Sequence, residues 1–112
     1  MATFHGIQVY EILENGNLLN AIYTNTANYV VENEIAKKIS PLNTGITGSY
    51  NARYIETGQS AVTECILKIT ARGEAYDFEW TRMDTSPLWK GIGLMAGSNH
   101  IAVSYIDTKN SN

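Results

Sequence analysis

From residue 46 to residue 107 the chain repeats one pattern, short runs in which apolar and polar residues alternate, each run ended by turn formers. Tyr76, Phe78 and Trp80, separated by Asp77 and Glu79, are the plainest case. Side chains two apart on an extended strand share a face, so three rings lie on one side and two carboxylates on the other. A sheet of such strands must curl or stack to keep its apolar face from water. The expected fold is therefore all-β: a small antiparallel up-and-down barrel or strongly curved sheet, with a two-layer β-sandwich as the alternative.

The runs can be placed one by one. Residues 7–13 and 18–24 flank Glu14-Asn15-Gly16-Asn17, and Asn-Gly between β-rich runs signals a hairpin because both residues tolerate positive φ. Residues 28–39 read two ways, as Tyr29-Val30-Val31 favours a strand while Glu34-Ile35-Ala36-Lys37-Lys38 has the composition of a turn or two of helix. The preferred reading is a strand followed by a short helical or irregular piece. Ser40 to Gly45, with Pro41 and Asn43, breaks regular structure and marks a long connection.

Beyond it, Tyr50, Ala52 and Tyr54 share an inward face, opposite Ser49, Asn51, Arg53 and Ile55. Gly58-Gln59-Ser60 turns the chain into residues 62–70, where Cys65, Leu67 and Ile69 oppose Glu64, Ile66 and Lys68. Arg72-Gly73-Glu74 leads into the aromatic strand, and Met83 to Pro87 forms the next loop. In Leu88 to Leu94, Trp89, Gly91 and Gly93 share a face, and strand glycines mark bending or close approach by another group. Gly97-Ser98-Asn99 precedes a last strand with Ile101, Val103 and Tyr105 on one side, and a polar tail over residues 107–112 ends the chain. The total is seven or eight strands in a single domain, residues 1–112, a length suited to one hydrophobic core.

Gly48-Ser49-Tyr50 before a strand, Tyr76-x-Phe78-x-Trp80, Trp89-Lys90-Gly91-Ile92-Gly93-Leu94 and Ile101-Ala102-Val103-Ser104-Tyr105 together resemble small bacterial barrels of uncharacterised function. In outline these are similar to the calycin group, the lipocalins and avidins. The resemblance covers roughly residues 46–107 and implies a barrel fold more than a function. Gly6-Ile7-Gln8 stands where lipocalins carry Gly-x-Trp, and no ligand contact of either family is carried over to this chain.

Composition narrows the function classes. The eight basic and eleven acidic residues give a net charge of -3, with no run of like charge longer than Lys37-Lys38, so a surface that tracks nucleic-acid phosphates is not expected. The one cysteine, Cys65, has no partner for an intrachain disulfide, and none of the eleven asparagines begins an Asn-x-Ser/Thr acceptor. With no secretory pattern in residues 1–25 and no apolar run approaching the roughly 20 residues that cross a bilayer, the expectation is a soluble cytoplasmic protein without membrane contact. A mature fragment lacking its signal would read the same.

His5 and His100 are the only histidines, and no metal-ligating spacing occurs, so neither a metal nor another cofactor is expected. Cys65 reads as a small hydrophobe, with His100 the one conceivable base beside it, and no catalytic pair emerges. Glu64, Asp77 and Glu79 belong to the outer face, where Arg53, Lys68 and Arg82 can pair with them for a few tenths of a kcal/mol each. The expected function is thus binding rather than catalysis. Phenols and an indole on an inner face combine flat apolar walls with hydrogen-bonding tips, as small-molecule sites do. Tyr50, Tyr54, Trp80, Trp89 and Tyr105 are the candidate ligand-binding residues, for a small apolar or aromatic ligand at one barrel mouth. The same rings can instead simply fill the barrel. The alternative function is a protein interaction module or homo-oligomer using the outer face or a sheet edge, since Trp89 and Ile92 fall on opposite faces of one strand.

Overall fold

The computed structural model describes residues 4–42, 44–55 and 62–108. Among them, eight strands run in chain order: β1 (His5–Leu13), β2 (Leu18–Asn25), β3 (Glu32–Ser40), β4 (Gly48–Ile55), β5 (Val62–Arg72), β6 (Ala75–Thr81), β7 (Pro87–Met95) and β8 (His100–Asp107). Each pairs antiparallel with its sequence neighbours, and β1 pairs with β8 over His5↔Ile106 to Glu11↔His100, so the sheet is a closed up-and-down barrel. Closure leaves neither β1 nor β8 as a free edge.

Alternation decides what fills the barrel. Tyr10, Leu19, Ala36, Tyr50, Ala52, Cys65, Leu67, Ile69, Phe78 and Ile101 are fully buried, and Trp80, Val103 and Tyr105 nearly so. The stripe on β6 supplies two of the largest rings, with Phe78 stacked at 5.9 Å between Tyr10 and Trp80. Room for Phe78 comes from β7, because a Cβ on Gly93 would lie 2.6 Å from the Phe78 ring. The shared face of Trp89, Gly91 and Gly93 is thus the inner one, with Gly93 giving way to the Phe78 ring and Gly91 to the β8 chain at Ser104 and Tyr105.

One end of the barrel is sealed. Between β1 and β2 the chain makes a tight 3-10 turn, Glu14–Gly16, with φ of 50°, 59° and 95° at Glu14, Asn15 and Gly16. The Asn15 carbonyl accepts from the Gly45 N–H at 2.9 Å, which docks this turn on the β3–β4 connection. The Tyr50 hydroxyl points its proton between the carbonyls of Gly16 (2.7 Å) and Ile46 (2.8 Å), and Lys38 donates to the Gly45 carbonyl at 2.6 Å. The carbonyls of Asn15, Gly16, Gly45 and Ile46 drawn into this plug thus each have a donor, as burial demands.

Several expectations change. Residues 34–38 are strand, not helix, and Tyr29, Val30 and Val31 precede β3 as exposed residues. The cause is an inverted pattern: β3 turns Glu34, Ala36 and Lys38 inward and leaves Ile35 and Ile39 outside, where a strand usually does the reverse. Asp107 is not tail but the buried end of β8. On the outer face Arg53 pairs with Glu64 at 3.5 Å, whereas Asp77 is held by Arg72 and Arg82 donates to Ser86. The Gly58-Gln59-Ser60 turn and residues 109–112 lie outside the described residues. No helix among the described residues is long and apolar enough to cross a membrane.

Candidate functional site

At the end opposite the plug the described residues leave the barrel open. The up-and-down order brings the start of β1, the end of β2, the start of β3, the end of β6, the start of β7 and the end of β8 to this mouth. Between them lies a cavity of about 360 Å³. That is near the small end of the range of roughly 300–1,000 Å³ common for small-molecule sites.

Six aromatic rings contribute to its wall. Trp80 forms the inner part, with its centroid 6.4 Å from Trp89 and 5.7 Å from Tyr105. Tyr54 meets Trp89 edge-on at 5.3 Å, Tyr23 meets Tyr54 at 6.5 Å, and Phe4 meets Tyr105 at 6.4 Å. These near-perpendicular arrangements favour contact between the electron-rich face of one ring and the edge of another. Trp80 is 1% exposed while Trp89 is half-buried, so one indole sits deep and the other nearer the opening.

The polar content is concentrated on Glu34. Its register partners are Ala21 on β2 and Tyr54 on β4, and its side chain enters the interior with 4% of the residue exposed. The Tyr10 hydroxyl donates to Oε2 at 2.6 Å, the Trp80 indole N–H donates to the same oxygen at 3.4 Å, and the Gln8 amide donates to Oε1 at 2.9 Å. Burial raises the Glu34 pKa above its ordinary value of 4.5, and the three donors oppose that rise in part. Burial and then the adjacent Glu34 charge push the Tyr10 phenol well above its ordinary range, so it keeps its proton and remains a donor. Asp107, 3% exposed, also lines the cavity, and Asn25 donates to the Tyr105 hydroxyl at 3.2 Å. Arg82, exposed, stands at the rim.

Of the five residues expected from sequence to line a ligand site, Tyr54, Trp80, Trp89 and Tyr105 border this one cavity. Tyr50 does not. It lies in the plug, fully buried, with its hydroxyl committed to backbone carbonyls, and burial lifts its phenol pKa as well. Gln8, Glu34 and Asp107 were not anticipated. The only signal for Glu34 was the two-residue spacing of Glu32, Glu34, Ala36 and Lys38, which carries no apolar pattern. Cys65 faces the interior from β5, and burial, followed by the Glu34 charge, pushes its thiol up to about 12. His100 is exposed at the start of β8, so the two are not brought together. Among the described residues no group of three or more His, Cys, Asp or Glu is placed to hold a metal ion.

A chamber of this kind can enclose a compact molecule between flat rings and offer it an acceptor at depth. No protein-family model matches the chain, and neither the curated proteins nor the solved structures compared with it include a match.

Proposed function

We propose that this protein is a non-catalytic binder of a small aromatic or otherwise flat apolar ligand, held in the mouth cavity. The observation that carries this reading is the asymmetry of the barrel. One end is closed by hydrogen-bonded backbone, while the other keeps about 360 Å³ lined by Tyr54, Trp80, Trp89 and Tyr105. A barrel whose rings served only to fill it would have no reason to leave that space at one end, since interiors pack to the density of organic crystals. The up-and-down order closed by β1 and β8 is compatible with a calycin-like barrel.

Titration with small aromatic compounds, followed by tryptophan emission, tests the reading. A saturable change is expected, and Trp80→Phe should remove more than about half of it, because the deep indole lies against the ligand. Emission that stays flat for every compound, or an unchanged signal in Trp80→Phe, speaks against Trp80 as a wall of a binding site.

A second reading, self-association, draws on the outer face. Leu94, Ala102, Val9 and Ile22 stand in register across β7, β8, β1 and β2, with Leu94 56%, Val9 40% and Ile22 53% exposed. An uncharged apolar row of this kind suits a second copy of itself about a two-fold axis. Sedimentation decides it: a dimer that Ile22→Glu dissociates supports the reading, and a monomer at high concentration removes it.

A further inference from the structure

We propose that the ligand of the mouth cavity is a small organic ammonium ion, whose N–H groups donate to Glu34 while its carbon frame lies against the faces of Trp80, Trp89 and Tyr54. This rests on the reading of the cavity as a ligand site and adds the charge of the occupant.

The first argument is the unfilled valence of Glu34. A carboxylate offers about four lone-pair positions. The protein fills three of them, from Tyr10, Trp80 and Gln8, each acting as a donor. Glu34 also belongs to the lining of the cavity, so the remaining position is available to whatever enters. The occupant must therefore bring a donor, and a ligand that offers only acceptors has nothing to meet there.

The second argument is charge. No lysine or arginine pairs with Glu34 among the described residues; its hydrogen-bond partners are Tyr10, Gln8 and Trp80, none of them a cation. Lys38, the other charged residue buried on β3, is directed to the Gly45 carbonyl and the Tyr50 ring in the plug. Among the described residues of the cavity lining the one guanidinium is that of Arg82, which lies exposed at the rim and donates to Ser86. An isolated carboxylate is costly to bury, and a counter-ion of the right size removes that cost. Burial alone has already raised the Glu34 pKa in the free protein.

The third argument is the wall itself. Ring faces carry negative potential, and a cation within about 6 Å of a ring centroid is attracted to it, most strongly by indole. Two indoles 6.4 Å apart, with a phenol 5.3 Å from the outer one and a carboxyl beside the inner one, form a wall that favours positive charge. An anion would meet the same elements as repulsion.

Calorimetric titration near neutral pH compares 2-phenylethylammonium with 2-phenylethanol, which matches it in size and also donates a hydrogen bond but carries no charge. The ammonium ion should bind at least about tenfold more tightly, and Glu34→Gln should bring its affinity down to that of the alcohol. Equal affinities for the two compounds, or an ammonium affinity unaffected by Glu34→Gln, would overturn the inference while leaving the cavity a ligand site. If the ammonium ion, the alcohol and indole all fail to bind and leave tryptophan emission unchanged, the ligand reading falls and the inference falls with it.

Discussion

Glu34 has a cost that pH can expose. Between its ordinary value of 4.5 and its raised value in the barrel, the folded protein holds a proton that the unfolded chain has already released. Stability contributed by this group is therefore full below that window and declines as pH rises through it. The groups facing it are Tyr10 and Gln8 from β1, Tyr54 from β4, Cys65 from β5, Trp80 from β6, and Tyr105 and, across the cavity, Asp107 from β8. Tyr10 and Cys65 are pushed further up and keep their protons across the window, so they do not blur it. Glu34→Gln should flatten this part of the unfolding free-energy profile; parallel profiles would contradict the assignment. Cys65 gives a second check at this scale. A thiol held at about 12 and fully buried should be inert to a thiol reagent at neutral pH until the protein is denatured. Rapid labelling of the native protein would show that β5 opens to solvent.

Among the elements, those whose inward residues are apolar could be read directly, and those whose inward residues are polar could not. The faces of β4, β5, β6 and β8 follow the alternation of Tyr50, Ala52 and Tyr54, of Cys65, Leu67 and Ile69, of Phe78 with Trp80, and of Ile101, Val103 and Tyr105. In β1 and β3 the pattern is inverted, with Ile7, Val9, Ile35 and Ile39 outside and Gln8, Glu34 and Lys38 inside, so hydropathy pointed away from the residues that define the site. The site's aromatic half was thus legible and its acidic half was not. Tyr50 was misplaced for a different reason. Strand alternation says that a side chain points inward, but not how far along the barrel axis it lies, and that depends on register with β3 and on the β3–β4 connection. Its role in the plug makes two expectations. Tyr50→Phe leaves the Gly16 and Ile46 carbonyls without their donor and should cost about 1–3 kcal/mol in chemical denaturation, with ligand titrations unchanged. Gly16→Ala forces a side chain into the left-handed region, against the Gly45 backbone, and should destabilise at least as much. Weakened ligand binding in Tyr50→Phe at full stability would put that ring back in the site.

At the scale of the whole molecule, chain order does most of the positioning. Eight strands in an up-and-down meander send alternate turns to opposite ends, so one set of connections can seal the barrel while the other is left to frame an opening. The sealing set draws on Asn15, Gly16, Gly45 and Ile46, and the opening on Phe4, Asn25, Leu88 and Asp107. The deep indole of Trp80 and the carboxyl of Glu34 lie within hydrogen-bond distance of each other, so ligand contact with one must be felt by the other. The chain has two tryptophans, and both indoles border the cavity. Amide and indole N–H shifts, followed by nuclear magnetic resonance during titration with 2-phenylethylammonium, therefore test the central claim most directly. The account predicts movement of both indole signals and of backbone signals at Glu34, Tyr54 and Asp107, with Lys38 and Tyr50 still. Shifts gathered instead on Val9, Ile22 and Leu94, with both indole signals unmoved, would contradict it and transfer function to the outer face.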